Sequence, residues 1–219
     1  MHSPPSLVLI GPAAVGKSTI GNLTAGILGI PFVDLDEVGA DYYSEVDWSV
    51  ERLVRRIDQV GRVAAEREWE PARAHAVSRA VESHPDAVLA LGAGHASYTD
   101  SSCLAEVRMA VAKVATVVLL LPTGDGALDL QELRQRSLTT KGTDWVSGGH
   151  DFLAEWLDDA GMRTLATDTV ITGNDTPQKT AVRVAALVRA SMKRAAAHCS
   201  VQTDDAPDSL HVAASEHSS

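Results

Sequence analysis

Five short apolar runs recur along the chain, and longer segments with helical periodicity separate them. The runs have the length of buried strands, whereas the segments between them carry apolar residues three or four positions apart. Strands that alternate with helices in this way predict an α/β fold, with a five-stranded parallel sheet and helices on both of its faces. The predicted strands are residues 6–10, 31–36, 87–92, 115–121 and 168–173.

The segments between and after these strands predict helices, whose boundaries follow the apolar periodicity and the capping residues. The last helix begins with Thr176 and Pro177, a cap residue followed by proline at the first helical position. The predicted helices are residues 17–28, 49–60, 62–83, 101–112, 126–138, 150–160 and 176–198.

Two polar segments lack this periodicity. Residues 137–149 contain three glycines between two predicted helices, and we interpret them as a mobile lid. Residues 200–219 are polar and acidic, which predicts a disordered tail. We therefore expect one domain over residues 1–199, including the lid, followed by the tail.

A phosphate-binding loop is indicated between the first strand and the first helix. Residues 11–18 read Gly-x-x-x-x-Gly-Lys-Ser, in which the glycines allow backbone N–H groups to point at phosphate oxygens. The helix N-terminus adds its positive dipole end. The pattern predicts ATP binding, with Lys17 on the β- and γ-phosphates and the Ser18 hydroxyl on Mg²⁺. The predicted ATP contacts in this loop are Gly11, Ala13, Ala14, Val15, Gly16, Lys17, Ser18 and Thr19.

Two carboxylates follow at the end of the second predicted strand. Asp34 and Asp36 are two positions apart, so both are expected on the same side, at the edge where open α/β sheets bind ligands. One of the two carboxylates would hold Mg²⁺ through water, and the other would accept a proton from an attacking hydroxyl. The alternative is that they cap the following turn.

The charge balance narrows the class of partner. With 29 acidic and 19 basic side chains, the chain has a net charge of −10, which disfavours a sequence-independent grip on nucleic acid. No apolar run approaches the roughly 18 residues of a membrane-spanning helix. Cys103 and Cys199 lack metal-ligand spacing, and we interpret both as reduced thiols of a cytoplasmic protein. We expect a monomer or weak dimer that acts on a small molecule, with neither nucleic acid nor a membrane as partner.

Taken together, the phosphate-binding loop, the Asp-x-Asp after the second strand and the Gly-rich turn at residues 92–95 resemble the shikimate kinase family over residues 6–190. The resemblance implies a three-layer P-loop kinase fold, ATP and Mg²⁺ as cofactors, and a small hydroxyl compound as acceptor. By the same resemblance Asp34 is the Mg²⁺-associated residue and Asp36 contacts the acceptor hydroxyls. The implied acceptor turn is Gly92, Ala93 and Gly94, followed by His95, with Ala93 in place of the family's middle glycine.

The resemblance also assigns residues near the nucleotide. Arg134 matches an arginine at the base of the family's lid, and we expect it to close over the γ-phosphate as a catalytic residue. Arg136 and Lys141 are the other cations near the lid. Residues 172–177, with Asn174 and Pro177, match the adenine-contacting loop.

The chain departs from the family where the acceptor carboxylate is bound. The family motif Gly-Glu-x-x-Phe-Arg-x-x-Glu corresponds to the run from Gly61, where Glu66 replaces the arginine, and Asp158 stands where a second arginine is expected. An arginine and a glutamate occur one position later, as Arg67 and Glu70. The acceptor therefore either lacks a carboxylate or carries it in a different position from shikimate.

Helix periodicity puts Arg67 and Glu70 on an otherwise apolar stripe. Such a pair is either buried and paired, or lines a cleft, where it would bind the acceptor. The alternative is a solvated ion pair after a small rotation of the stripe. His95, directly after the Gly-rich turn, would contact an acceptor hydroxyl or serve as a base, or would simply be a hydrogen-bonding residue of the turn.

These observations predict an ATP-dependent kinase that phosphorylates a hydroxyl of a small metabolite, either shikimate or a related cyclitol or polyol. Lys17, Asp36 and Arg134 are the predicted catalytic residues. Two alternatives stay open at this point. One is a nucleoside monophosphate kinase, and the other is a nucleotide-dependent ATPase or switch that acts on a protein partner.

Overall fold

The structure, a computed structural model, describes the backbone of residues 4–203 and the side chains up to residue 197. All five predicted strands are present: β1 (Leu7–Ile10), β2 (Phe32–Asp34), β3 (Val88–Ala90), β4 (Val117–Leu121) and β7 (Asp168–Ile171). Between β4 and β7, two further short strands, β5 (Val146–Ser147) and β6 (His150–Asp151), form a separate hairpin. The five form one parallel sheet in the order β2-β3-β1-β4-β7. The predicted five-stranded parallel sheet is confirmed.

The helices pack around this sheet and follow the predicted order with a few differences. Their bounds are α1 (Lys17–Leu28), α2 (Leu35–Ser44), α3 (Val50–Val60), α4 (Arg62–Ser83), α5 (Ser101–Val111), α6 (Gly126–Lys141), α7 (Phe152–Asp158), α8 (Ala160–Leu165) and α9 (Pro177–Thr203). The central strands β1 and β4 are buried along their whole length, which agrees with a sheet covered on both faces.

Helix α2 was not predicted, because the alternating sequence after Pro31 has the period of a strand. The strand ends at Asp34, and Asp36 already belongs to the first turn of α2. The Asp34 side chain accepts a hydrogen bond from the Asp36 N–H at 3.0 Å, so it is the N-cap of the helix. The expectation that both carboxylates project from one strand is therefore wrong, and the capping alternative is correct for Asp34.

The predicted helix 150–160 is also wrong in detail. Residues His150 and Asp151 form strand β6, and Asp151 caps α7 by accepting from the Ala154 N–H at 3.2 Å. A second cap at Asp159, which accepts from the Met162 N–H at 3.0 Å, starts α8. Two aspartate caps so close together divide the segment into two short helices.

The predicted lid, residues 137–149, is more regular than its glycine content indicated. Helix α6 continues to Lys141, and the β5–β6 hairpin follows. Of the predicted tail, residues 200–203 belong to α9, which contradicts disorder there, and residues 204–219 lie outside the described residues. Helix α9 continues a few residues beyond its predicted end, and Cys103 on α5 is a buried free thiol. Within residues 4–203, no helix is both long and apolar enough to span a membrane.

Candidate active site

The phosphate-binding loop, which we call the P-loop, requires unusual backbone conformations. Gly11 has φ 142°, Ala14 φ 62° and Gly16 φ 102°. A Cβ on Gly11 would lie 2.6 Å from the carbonyl oxygen of Leu120 on β4, so only glycine fits there. Gly16 is the N-cap of α1 and supplies no side chain to the first helical N–H groups. These N–H groups have no partner within the helix, which leaves them suited to an anion.

Lys17 lies at the start of α1, beneath this loop. Its side chain is buried, and Nζ donates to the carbonyl oxygens of Gly11 at 2.8 Å and Pro12 at 2.9 Å. Burial lowers the pKa of Lys17 to about 8, and the negative charge of Asp36 opposes this shift. A phosphate beside Nζ would favour the charged form further.

The P-loop opens into a cavity of about 530 Å³ that reaches across the carboxyl edge of the sheet. Both aspartates of the Asp-x-Asp line it, although only Asp34 belongs to the strand. Twelve of the predicted site residues line this cavity: Ala13, Ala14, Gly16, Lys17, Ser18, Thr19, Asp34, Asp36, Gly92, Ala93, Gly94 and His95. The remaining lining residues are Leu91, directly after β3, and residues of α2, α3, α4, α7 and the lid.

The structure does not bring every predicted residue to this cavity. Those that lie elsewhere are Gly11, Val15, Arg67, Glu70, Arg134, Asn174 and Pro177. Gly11 and Val15 are buried parts of the loop itself. Pro177 is the first residue of α9, and Thr176 caps that helix by accepting from the Lys179 N–H at 3.3 Å. The role of the 172–177 loop in adenine binding stays a prediction.

Arg67 and Glu70 form a paired cluster, in which Glu70 is buried and Arg67 is half-buried, and they do not line the cavity. Glu70 is 1% exposed and accepts from the Thr99 N–H at 3.0 Å, the Thr99 hydroxyl at 2.7 Å and the Asp100 N–H at 2.8 Å. Arg67 forms ion pairs with Glu70 at 3.3 Å and with Glu155 of α7 at 2.6 Å. Of the alternatives left open by the sequence, the structure matches the paired one, with Glu70 buried and Arg67 partly exposed.

Arg134 lies on α6 and forms an ion pair with Asp151 at the start of α7. It lines a separate surface cavity with other side chains of α6. From the lid, Thr140, Lys141 and Trp145 line the main cavity instead. Contact between Arg134 and the γ-phosphate therefore stays a prediction, and Lys141 is the lid cation on the cavity wall.

Helix α4 contributes residues that sequence reasoning missed. Arg62, Glu66, Trp69 and Arg73 all line the cavity, and their spacing of four, three and four residues puts them on one helix face. Three of these positions, 62, 66 and 69, are among the four motif positions at which the sequence departs from the family. The departures from the motif therefore marked these lining positions in the sequence, but Arg67 and Glu70, each one position later, were predicted as the acceptor-binding residues instead.

The two arginines of this face share one carboxylate. The Glu66 carboxylate lies 3.5 Å from Arg62 Nε and 3.7 Å from Arg73 Nη1, and Arg73 Nη2 donates to the Glu66 carbonyl at 3.2 Å. The Arg73 side chain is 4% exposed. A Cβ on Gly94 would lie 1.9 Å from Arg73 Nη1, so the Gly-rich turn leaves room for this guanidinium. Two positive groups with one carboxylate leave this wall net positive.

His95 lies between two other cavity residues. Its Nε2 is 2.5 Å from the Tyr43 hydroxyl, and its Nδ1 is 3.6 Å from Asp36 Oδ1. The imidazole is 3% exposed, and burial together with the positive charge of Arg73 lowers the pKa of His95 to about 3. The imidazole is therefore neutral at physiological pH.

No protein-family model and no curated protein matched the sequence. Solved structures do match. A shikimate kinase from Acinetobacter baumannii in complex with shikimate is 20% identical, with a TM-score of 0.60 over 86% of this chain and 94% of that one. Shikimate kinases from Aquifex aeolicus and Bacteroides thetaiotaomicron are 17% and 18% identical, with TM-scores of 0.52 and 0.51. They cover 84% of this chain in both cases, and 95% and 97% of their own.

The likeness extends over nearly the full length of these structures, and it includes the parallel sheet that carries the P-loop. The resemblance that the sequence motifs indicated is thus confirmed for the architecture. The chain has the P-loop kinase fold of the shikimate kinases.

Proposed function

We propose that this chain is an ATP-dependent kinase that transfers the γ-phosphate to a hydroxyl group of a small molecule, shikimate or a related cyclitol or polyol. The observation that carries the proposal is one shared cavity. Lys17 and Ser18 line the same cavity as Asp36. The first two residues suit a nucleoside triphosphate, and Asp36 suits a hydroxyl acceptor. Neither group alone indicates a kinase, but together they bring a phosphate donor to an acceptor.

The residues of the cavity fit the two cofactors that the motif implies. The positive-φ backbone at Gly11, Ala14 and Gly16 and the buried Lys17 ammonium form a cradle for phosphates. The described residues contain no cluster of three or more metal-ligating side chains. A magnesium ion bound to ATP needs only one or two protein oxygens and takes its other ligands from phosphates and water. Ser18 and Asp34 would hold the ion, which would neutralise charge on the phosphates.

The chain's own residues would divide the work of transfer. Lys17 and the N-terminus of α1 would stabilise negative charge on the phosphates. Asp36 would orient the acceptor hydroxyl and take its proton as the new oxygen–phosphorus bond forms. Lys141, and Arg134 if the lid moves, would supply positive charge from the lid and help to exclude water.

The α4 side of the cavity favours an acceptor that is bound differently from the way the family binds shikimate. Glu66 occupies the position of the family's carboxylate-binding arginine, and Asp158 is exposed and does not line the cavity. Positive charge comes from Arg62 and Arg73 instead. Of the two possibilities left by the sequence, these arginines favour an acceptor whose anionic group lies in a different position.

An ATP-coupled screen tests the function. The full chain with Mg²⁺ and ATP should release ADP only when a suitable hydroxyl compound from a panel of shikimate, other cyclitols, sugars, sugar acids and nucleosides is added. Nucleoside monophosphates are assayed alongside this panel. The Lys17→Ala variant is the matched control and should release none. ADP release without any added compound, or release stimulated only by a protein, would favour the ATPase or switch. Turnover of nucleoside monophosphates alone would favour that kinase class.

A further inference from the structure

The strongest unassigned feature of the cavity is a chain of three side chains from helix α2 and the turn after β3. Asp36 is in the first turn of α2, Tyr43 is near the end of the same helix, and His95 closes the turn after β3. All three line the cavity. The Asp36 side chain is 56% exposed, so its carboxylate needs a neighbour if it is to keep one orientation.

The charge state of the two partners fixes the direction of their hydrogen bonds. Burial keeps the pKa of Tyr43 well above its usual value, so its phenol is protonated. The imidazole of His95 is neutral and carries one proton. If Nε2 carried it, the bare Nδ1 would face the Asp36 carboxylate, which is repulsive. The favoured arrangement has Tyr43 donating to Nε2 and the proton on Nδ1, directed at Asp36.

Two glycines make room for this arrangement. A Cβ on Gly92 would lie 2.1 Å from Asp36 Oδ1 and 2.6 Å from His95 Nδ1, which is where the two side chains converge. A Cβ on Gly39 would lie 2.9 Å from the Tyr43 hydroxyl oxygen. Any other residue at position 92 would therefore separate Asp36 from His95.

The surroundings of the imidazole support a role in orientation. Tyr43 and His95 have nearly parallel rings, 7° apart, and Trp69 makes a T-shaped ring contact with each of them. The charged groups that act on His95 from neighbouring elements are Lys17 of α1, Asp34 of β2 and Arg73 of α4. The ring is thus held from several sides and has little freedom to follow a moving carboxylate.

We propose that Tyr43 and His95 are a positioning pair for Asp36, an inference that rests on the proposed kinase function. The Nδ1–H of His95 holds Oδ1 and leaves Oδ2 for the acceptor hydroxyl. The 3.6 Å separation shortens to hydrogen-bond distance when the acceptor is bound, as catalytic contacts commonly do. Asp36 then takes the hydroxyl proton on Oδ2 while the acceptor oxygen bonds to phosphorus, the β,γ oxygen–phosphorus bond breaks and ADP leaves. His95 keeps its own proton throughout.

Nitrogen NMR of the histidine side chains in the full chain tests the arrangement without any acceptor. The His95 signals are those that disappear in the His95→Gln variant. At pH 7 they should report a neutral ring with a protonated Nδ1 and a bare Nε2, and Asp36→Asn should shift the Nδ1 signal. A proton on Nε2, or a charged ring, would overturn the inference.

Two substitutions of the same residue test the role in transfer, with the acceptor found in the screen. Asparagine at position 95 keeps a donor near the place of Nδ1, whereas glutamine keeps a polar group near the place of Nε2 only. His95→Gln should lower kcat about 10- to 100-fold, with the KM for ATP unchanged. His95→Asn should restore most of kcat, and Tyr43→Phe should give a smaller loss.

Equal kcat losses in the two position-95 variants, each in proportion to a lower unfolding midpoint, would show a purely structural role and overturn the inference. If the wild-type chain turns over an acceptor but Nε2 carries the proton, the inference fails and the kinase function stands. If no compound is turned over, the kinase function fails and the positioning role falls with it, whatever the tautomer.

Discussion

At the residue scale, the central feature is the convergence of Lys17 and Asp36 on one cavity. Lys17 was identified from the P-loop spacing, and Asp36 from its place after the second strand. The reason given for Asp36 was wrong, since it lies on a helix, yet the residue reaches the cavity because Asp34 caps that helix at the sheet edge. His95 was identified as a candidate, but its partner Tyr43 lies 52 residues away in sequence, and no local pattern connects them.

Lys17→Ala should weaken Mg·ATP binding by about 10²- to 10³-fold, because the ammonium is the buried positive charge beneath the P-loop. Titration calorimetry measures this directly. Lys113→Ala, at an exposed lysine of the same charge, should bind ATP as the wild type does. Equal affinity of the Lys17→Ala variant and the wild type would contradict the assignment of the loop.

Gly92→Ala should lower kcat strongly while leaving ATP affinity unchanged, because its Cβ would intrude between Asp36 and His95. The control is Gly26→Ala on α1, where a Cβ would meet nothing within 4 Å. That variant should keep full activity and gain a little helix stability. A Gly92→Ala enzyme with normal kcat would show that Asp36 does not need this contact.

Burial of neutral His95 should make the folded chain sensitive to acid. The pKa of His95 is about 3 in the folded chain, against 6.5 for an unperturbed histidine. As the pH falls below about 6.5 the unfolded chain binds a proton that the folded chain does not. The free energy of unfolding should then fall by about 1.4 kcal/mol per pH unit from this residue.

Urea unfolding at several pH values between about 4 and 7 measures this effect. Carboxylates contribute their own pH dependence, so the comparison is between the wild type and His95→Asn. The stability difference between the two should shift in favour of the variant as the pH falls. A difference that is constant over this range would mean that His95 titrates normally.

At the element scale, helix α4 carries two functions on neighbouring stripes. One stripe, with Arg62, Glu66, Trp69 and Arg73, lines the cavity. The next carries Arg67 and Glu70, which pair with α7 and the loop before α5. The residues of one stripe are offset by one sequence position from those of the next. Helix periodicity therefore identifies the residues of each stripe but does not show which stripe faces the cavity.

Glu70→Ala should destabilise the chain by about 2–4 kcal/mol, because it leaves the Thr99 and Asp100 N–H groups and Arg67 short of a partner. Thermal or urea unfolding measures the loss. Glu68→Ala, also on α4, removes an exposed ion pair with Arg56 of α3; it is the control and should change little. A stable Glu70→Ala protein that had lost acceptor affinity would show that Glu70 serves the acceptor.

At the scale of the whole molecule, the alternation of apolar runs and helical segments predicted the parallel sheet correctly, because buried strands and crossover helices have distinct periods. The P-loop followed from a local motif. The cavity lining from α2, α3, α4, α7 and the lid could not be predicted from the sequence. It is assembled from elements that are distant in sequence, and residues of α4 in it differ from those of the family. Where a site is built by packing distant elements, sequence spacing gives only candidates.

Acceptor-dependent release of ADP by the wild type and by Asp36→Asn, measured side by side with the same compound, tests the central claim most directly. The wild type should release ADP only with the acceptor present. Asp36→Asn should bind ATP normally and lose about 10²- to 10⁴-fold in turnover, the range expected for a proton acceptor. Acceptor-dependent release at the same rate in both proteins, or release that is independent of the acceptor in both, would contradict the account.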